Sequence, residues 1–288
     1  MSLEDTDQDL NEQVFNKLVK VVHTHTGITL GSSKKIMLQA RLRPRMRELS
    51  LHSFESYYDY LQSHKEEGPY FVDLVTTNET YFYRTPRIWE YIENEYLPNW
   101  FQKKQNVVFN VWSAAASSGE EAHTLGTVFQ GFKEKHPAFQ YQIFGTDISL
   151  EILSYAEKGQ YSGRAIEMFK EKRPDLFQKF LKPDSNGQFS AIQEIRSRIK
   201  FQQHNLFEKP KFKTQFDLVL IRNVLIYFLG PDQEKVLSQV CLSMKPGAGL
   251  IIGESESLNR LKTSFSYKMP LVYELSSETE DAKAGKAS

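Results

Sequence analysis

The sequence predicts an α/β fold: a mostly parallel, Rossmann-like sheet with a small antiparallel β-subdomain inserted, preceded by an all-α N-terminal domain. Three observations predict it. Residues 10–105 carry apolar side chains at three-to-four spacing and little strand signal. From about Asn106 the texture changes to strands alternating with helices, the pattern of parallel strands joined by crossovers. Asn186-Gly187, flanked by alternating residues, signals a tight hairpin ahead of the third main strand. The expected division is 1–80 for the helical domain and 81–276 for the α/β domain, with the insert at about 181–200 and a frayed tail over 277–288.

Taken in order, Leu10, Val14, Leu18 and Val21 or Val22 make one apolar helix face. "TGITLGSS" breaks that pattern, and Ser32 or Ser33 is placed to cap the next helix, "KKIMLQARLRPRMR". A third helix begins after Ser53. Pro86 opens the helix "RIWEYIENEYLPNWF", because a first turn tolerates a residue without an N–H. Strands are predicted at 107–112, 141–146, 198–203, 216–221, 248–253 and 271–275. Helices are expected near 119–135, 149–158 and 231–245.

Composition narrows the function classes. Lys+Arg and Asp+Glu are both 36 in 288 residues, so net charge gives no reason to expect nucleic acid, and no base-reading motif is present. The single cysteine, Cys241, cannot build a disulfide framework or a Cys-rich metal site; it reads as a buried small hydrophobe, and no metal is expected. No stretch approaches the ~18 apolar residues of a membrane span, and the acidic start does not read as a signal peptide. A cytoplasmic protein, without membrane insertion, is expected.

The chemistry gathers where strands should end. "VWSAAASSGEE" turns from strand to helix through small residues, which let a ligand approach the backbone beside free helix N–H groups. It lacks the G-x-G-x-x-G of a pyrophosphate cradle, and Glu120 and Glu121 would repel phosphate. The corner suits S-adenosylmethionine (AdoMet), which offers a sulfonium, an ammonium and ribose hydroxyls. Two glutamates opening a helix also complement its dipole, so the corner alone leaves both readings open. Asp147, ending "FGTDIS", can accept both ribose hydroxyls or cap the following helix. Arg222-Asn223 emerges from the apolar strand "FDLVLI" at the same edge, without the prolines of an adenine methyltransferase turn. Tyr227, one helical turn on, can reach the site or pack against the sheet.

Together "TTNETYFYR", "VWSAAASSGEE", "FGTDIS", "QHNLF" and "IRNVLIYF" resemble, in order and spacing, the CheR family of chemotaxis receptor glutamate methyltransferases. The resemblance spans roughly residues 10–276. It implies an AdoMet-dependent methyltransferase domain, with S-adenosylhomocysteine as product, behind a helical receptor-recognition domain. It implies cofactor contacts from Asn78, Thr80 and Arg84, from Glu121 to the amino group and Asp147 to the ribose. Asn205 and Leu206 would hold the adenine, and Arg222 and Asn223 would lie beside the methionine portion.

The implied reaction esterifies a glutamate side chain of a receptor's cytoplasmic helices. That carboxylate, with a pKa near ~4.3, is ionised at pH 7 and needs no catalytic base, so His123 and His204 read as bystanders. Arg84 and Tyr227 are the candidates for orienting it. Residues 34–47 hold six basic side chains and no acidic one. Lys34, Arg41 and Arg45 are expected to dock the acidic receptor helices, with the enzyme a monomer. Some relatives bind a tethering peptide at a Gly-rich hairpin turn; with Gly187 alone here, a tether-independent enzyme is expected. The competing readings are a non-catalytic AdoMet-sensing or receptor-array binding module, and a methyltransferase for another protein or small molecule. The joint presence of Asn78, Arg84, Glu121, Asp147 and Asn223 speaks against a degenerate binder.

Overall fold

A computed structural model describes residues 9–76 and 78–276. The expected tail therefore lies outside the described residues. The helical part holds α1 (Glu12–Thr26), α2 (Lys35–Glu48), α3 (Phe54–Ser63) and α4 (Glu67–Val75). Asn11 caps α1 by accepting from the Val14 N–H, and Ser53 forms a reciprocal cap with Ser56 on α3. Neither Ser32 nor Ser33 caps α2 through its side chain. That helix is entered instead through a 3₁₀ turn, Ser32–Lys34, which tightens the chain into the helix. The fourth helix was not predicted, since "EEGPYFVDLV" lacks a side-chain cap and carries a glycine and a proline at its start.

Pro86 sits at the first position of α5 (Pro86–Tyr91), as its missing N–H predicts. A π-helical turn, Ile92–Tyr96, continues into α6 (Leu97–Lys103). The α/β part then runs β1 (Val108–Ser113), α7 (Glu120–Lys135), β2 (Gln140–Asp147), α8 (Leu150–Lys158), α9 (Arg164–Lys172) and α10 (Pro174–Phe180). The insert follows as the hairpin β3 (Leu181–Pro183) and β4 (Phe189–Ala191), then α11 (Gln193–Arg196). The rest is β5 (Ile199–Gln203), β6 (Phe216–Ile221), α12 (Gly230–Cys241), β7 (Met244–Ile252), β8 (Phe265–Met269) and β9 (Val272–Leu275).

The main sheet has the order β5-β2-β1-β6-β7-β9-β8, parallel from β5 to β7 with β9 and β8 antiparallel at one edge. β8 escaped prediction because "FSYKM" is a half-exposed edge strand with weak alternation. Leu218, Val219, Leu220 and Ile221 are wholly buried, as a central parallel strand covered on both faces requires. Chain order reverses direction between β1 and β6, so the crevice at their carboxyl ends is the switch point where such sheets bind ligands.

Candidate active site

A cavity of about 430 Å³ opens at that crevice, within the size range of small-molecule sites. The parallel strands feed it from their carboxyl ends. Ala114 and Ala115 follow β1, Ile148 follows β2, His204 to Leu206 follow β5, and Arg222 to Val224 follow β6. All the residues expected to hold cofactor line it: Asn78, Thr80, Arg84, Glu121, Asp147, Asn205, Leu206, Arg222 and Asn223. Tyr227 and Lys34 line it as well.

The small corner is explained by crowding. Gly119 precedes α7 with φ 95°, and a Cβ there would come within 2.8 Å of the Tyr161 hydroxyl and 2.9 Å of Ala156 Cβ. Ser117 also has a left-handed φ of 50° and donates its backbone N–H to Asp147 Oδ2 at 2.9 Å. Its hydroxyl donates to the Asn78 carbonyl at 3.0 Å, tying the "TTNETYFYR" segment to the corner.

Glu121 faces the cavity as half of a buried ion pair. Arg222 Nη1 donates to Glu121 Oε2 at 2.8 Å, and the Ser113 hydroxyl donates to Oε1 at 2.8 Å. Arg222 Nη2 reaches the Arg84 carbonyl at 2.8 Å and the Thr85 hydroxyl at 2.9 Å, and its guanidinium lies over Trp89. The buried Nε of Arg222 has no protein partner. Glu120, by contrast, turns to the Ser118 hydroxyl at 2.6 Å, and burial raises its carboxyl above the ordinary value.

Asp147 is not the cap of α8. Ser149 is: its hydroxyl accepts from the Ile152 N–H at 3.1 Å. Asp147 accepts from the Ser117 and Ser149 N–H groups and keeps acceptor capacity toward the cavity, with burial raising its carboxyl. The donor set thus fits AdoMet: a buried carboxylate for hydroxyls on one side, and a carboxylate–guanidinium pair with a spare N–H on the other.

The helical part supplies a wall that sequence reasoning did not assign. Thr26, Ile28, Thr29, Leu30 and Gly31, from the "TGITLG" break, line the cavity. The Thr29 N–H donates to the Tyr227 carbonyl at 2.8 Å, and Asn205 Nδ2 donates to the His25 carbonyl at 2.7 Å. No local signal marks this segment, because its partners lie about 180–200 residues away in sequence.

Of the expected docking residues, Lys34 is exposed at the cavity rim. Arg41 and Arg45 lie on α2 outside the cavity lining, and their guanidiniums make contacts within the chain. Arg41 Nη1 donates to the Leu74 and Thr76 carbonyls at 3.0 and 2.6 Å. Arg45 forks onto buried Glu67 at 3.0 and 2.7 Å and lies over Tyr70. Tyr57 donates a third bond to the same carboxylate. Exposed Arg47 keeps its place on that helix.

The two histidines expected to be bystanders lie in different settings, His123 away from the cavity lining and His204 within it. His123 is buried, its Nδ1 lying 2.9 Å from both the Gly119 carbonyl and the Tyr161 hydroxyl, and burial lowers its pKa to about 4. Burial also lowers His204, which packs on Trp112 at the cavity's edge. Among the described residues no cluster of three or more His, Cys, Asp or Glu side chains could hold a metal, and no helix is long and apolar enough to cross a membrane.

A doubly wound sheet with these groups at its switch point defines an AdoMet-dependent methyltransferase fold behind an all-α domain. Residues 78–271 match the family model "CheR methyltransferase, SAM binding domain", and residues 13–76 match "CheR methyltransferase, all-alpha domain". The chain belongs to the CheR methyltransferase family, and AdoMet is its cofactor. It is 29% identical to a chemotaxis protein methyltransferase of Borreliella burgdorferi over 275 residues, 92% of this chain and 95% of that one. It is 30% identical to chemotaxis protein methyltransferase Cher2 of Pseudomonas putida over 240 residues, 82% and 86% of the two chains. Among solved structures, the glycopeptide N-methyltransferase MtfA complexed with AdoMet aligns with TM-score 0.32 at 14% identity, covering 56% of this chain and 53% of that chain, a likeness too slight to argue from.

Proposed function

We propose that this AdoMet-dependent chemotaxis methyltransferase esterifies glutamate side chains on the cytoplasmic helices of chemoreceptors. The observation that carries the reading is the joint lining of one crevice by Asp147, the Glu121–Arg222 pair, Arg84 and Tyr227. In the proposed arrangement Asp147 holds the ribose, while Asn205 and Leu206 flank the adenine. Glu121 takes the amino group, and Arg222, Asn223, Asn78 and Thr80 surround the methionine portion. Bound there, AdoMet supplies an electrophilic methyl group.

The chain's own residues then have three tasks. Arg84 and Tyr227 orient the incoming carboxylate; a guanidinium can hold one oxygen and leave the other free to attack. Ile28, Leu30, Leu206 and Val224 make the crevice apolar and keep water away from reactants whose charges disperse as they react. Neither task needs a proton to move, because a glutamate at neutral pH already presents the nucleophilic oxygen. The third task is docking. Supporting a receptor-facing role for α2 and the turn before it, Lys34 stands at the cavity rim and Arg47 is exposed on α2, both suited to acidic helices.

The test mixes the protein with methyl-labelled AdoMet and receptor cytoplasmic fragments, then treats the product with mild base. A glutamate methyl ester releases its label as methanol. Label that stays on the protein after base, or that reaches receptors whose methylation glutamates are alanine, contradicts the reading.

A further inference from the structure

The "GESES" segment after β7 plays no part in the reading above, yet it holds a half-buried carboxylate in an unusual setting. Glu256 Oε2 accepts from the backbone N–H groups of Asn223 at 3.0 Å and Gly253 at 2.6 Å. Its Oε1 accepts from Val224 at 2.8 Å and Leu225 at 2.7 Å. Four backbone donors thus converge on one side chain, and three of them belong to the turn that carries Asn223 and leads to Tyr227. Asn223 sits at φ 59°, in the left-handed region that asparagine adopts more readily than most residues with a side chain. The turn is also packed from behind: a Cβ on Gly253 would lie 2.7 Å from the Asn223 N and 2.8 Å from both Asn223 Nδ2 and Glu256 Oε2. Burial raises the Glu256 carboxyl while the N–H groups pull the other way.

We infer that Glu256 is a positioning residue: its carboxylate holds the Asn223–Leu225 turn, with Asn223 left-handed, in the conformation that serves the methionine end of the cofactor. The inference rests on the cofactor orientation proposed above. The sheet order supports that orientation, since β2 and β5 lie to one side of β1 and β6 to the other. Asp147 and Asn205 therefore serve one end of the crevice, and the Glu256 turn serves the opposite end. Anchoring by carboxylate is specific. A glutamine keeps one acceptor oxygen and turns an N–H₂ group toward two of the four backbone donors, which leaves them unpaired.

The experiment compares two ligands, S-adenosylhomocysteine and 5′-methylthioadenosine, which lacks the amino-acid end. Calorimetric titration of Glu256→Gln should show at least a tenfold weaker Kd for S-adenosylhomocysteine. Its Kd for methylthioadenosine should change less than twofold. The neighbouring exposed Glu254→Gln, whose carboxylate pairs only loosely with Arg87 at 3.6 Å, should leave both unchanged. Equal weakening of both ligands by Glu256→Gln, or of neither, overturns the inference. Failure of the wild type to bind S-adenosylhomocysteine would instead sink the cofactor placement. If Glu256→Gln does not fold, amide hydrogen exchange of the ligand-free wild type decides. Protection of 223–225 before ligand is added supports a preset turn, and exchange as fast as an exposed loop contradicts it.

Discussion

Replacing Arg222 with methionine removes the cation that neutralises Glu121 and serves as the sharpest probe of the site's construction. The guanidinium is nearly inaccessible, at 2% side-chain exposure, and Glu121 is at 11%. Arg222→Met deletes three hydrogen bonds of 2.8, 2.8 and 2.9 Å and leaves the carboxylate with the Ser113 hydroxyl alone. Removing one partner of a buried pair costs about 3–5 kcal/mol, because the remaining charge is stranded. For a domain of this size that corresponds to a fall in Tm of roughly 6–20 °C. Trp89, Trp100 and Trp112 are all the tryptophans of the chain, and all pack in or against the α/β part, so their fluorescence in urea reports its unfolding. The double variant Glu121→Gln/Arg222→Met should recover part of the loss, giving a coupling of about 2 kcal/mol between the positions. A loss under about 1 kcal/mol for Arg222→Met, or additivity within about 0.5 kcal/mol, would refute the pair as the site's electrostatic anchor.

Other perturbations separate the remaining roles. His123 has its pKa lowered to about 4 in the fold, from 6.5, so the unfolded chain takes its proton first. Stability from this group is therefore complete above about pH 6.5 and declines toward pH 4, by on the order of 3 kcal/mol. The raised carboxyls of Glu120, Asp147 and Glu256 act oppositely, favouring the fold as pH falls, and a His123→Gln comparison in urea isolates the histidine's share. Arg45→Ala strands buried Glu67 and should cost about 3 kcal/mol in unfolding free energy, with the receptor KM unchanged for whatever protein remains folded. Arg47→Glu should do the reverse, raising the receptor KM severalfold with wild-type stability and wild-type S-adenosylhomocysteine affinity. Arg84→Ala should lower kcat at least tenfold with receptor saturating; near-normal turnover would remove it from carboxylate orientation.

The strands and the residues at their tips were legible because both obey local rules. Buried parallel strands are short apolar runs, and a ligand edge must show polar or small residues immediately after them, which is how Glu121, Asp147 and Arg222-Asn223 stand out. The Arg45–Glu67 pair was not legible for a different reason. A basic helix face looks the same in sequence whether its charges meet solvent or a buried glutamate 22 residues away. The Thr26–Gly31 wall likewise depends on contacts with Tyr227 and the 205 loop that no local periodicity encodes. Helices α9 and α10 were passed over in the long stretch before the hairpin, where "EKRP" breaks one helix and starts the next.

The most direct test is a crystal structure with S-adenosylhomocysteine bound. The account predicts the nucleoside beyond β2 and β5 with its ribose hydroxyls on Asp147, and the amino group against Glu121 beside the Asn223 turn. Ligand density outside this crevice, or inside it with both carboxylates turned away, would contradict it.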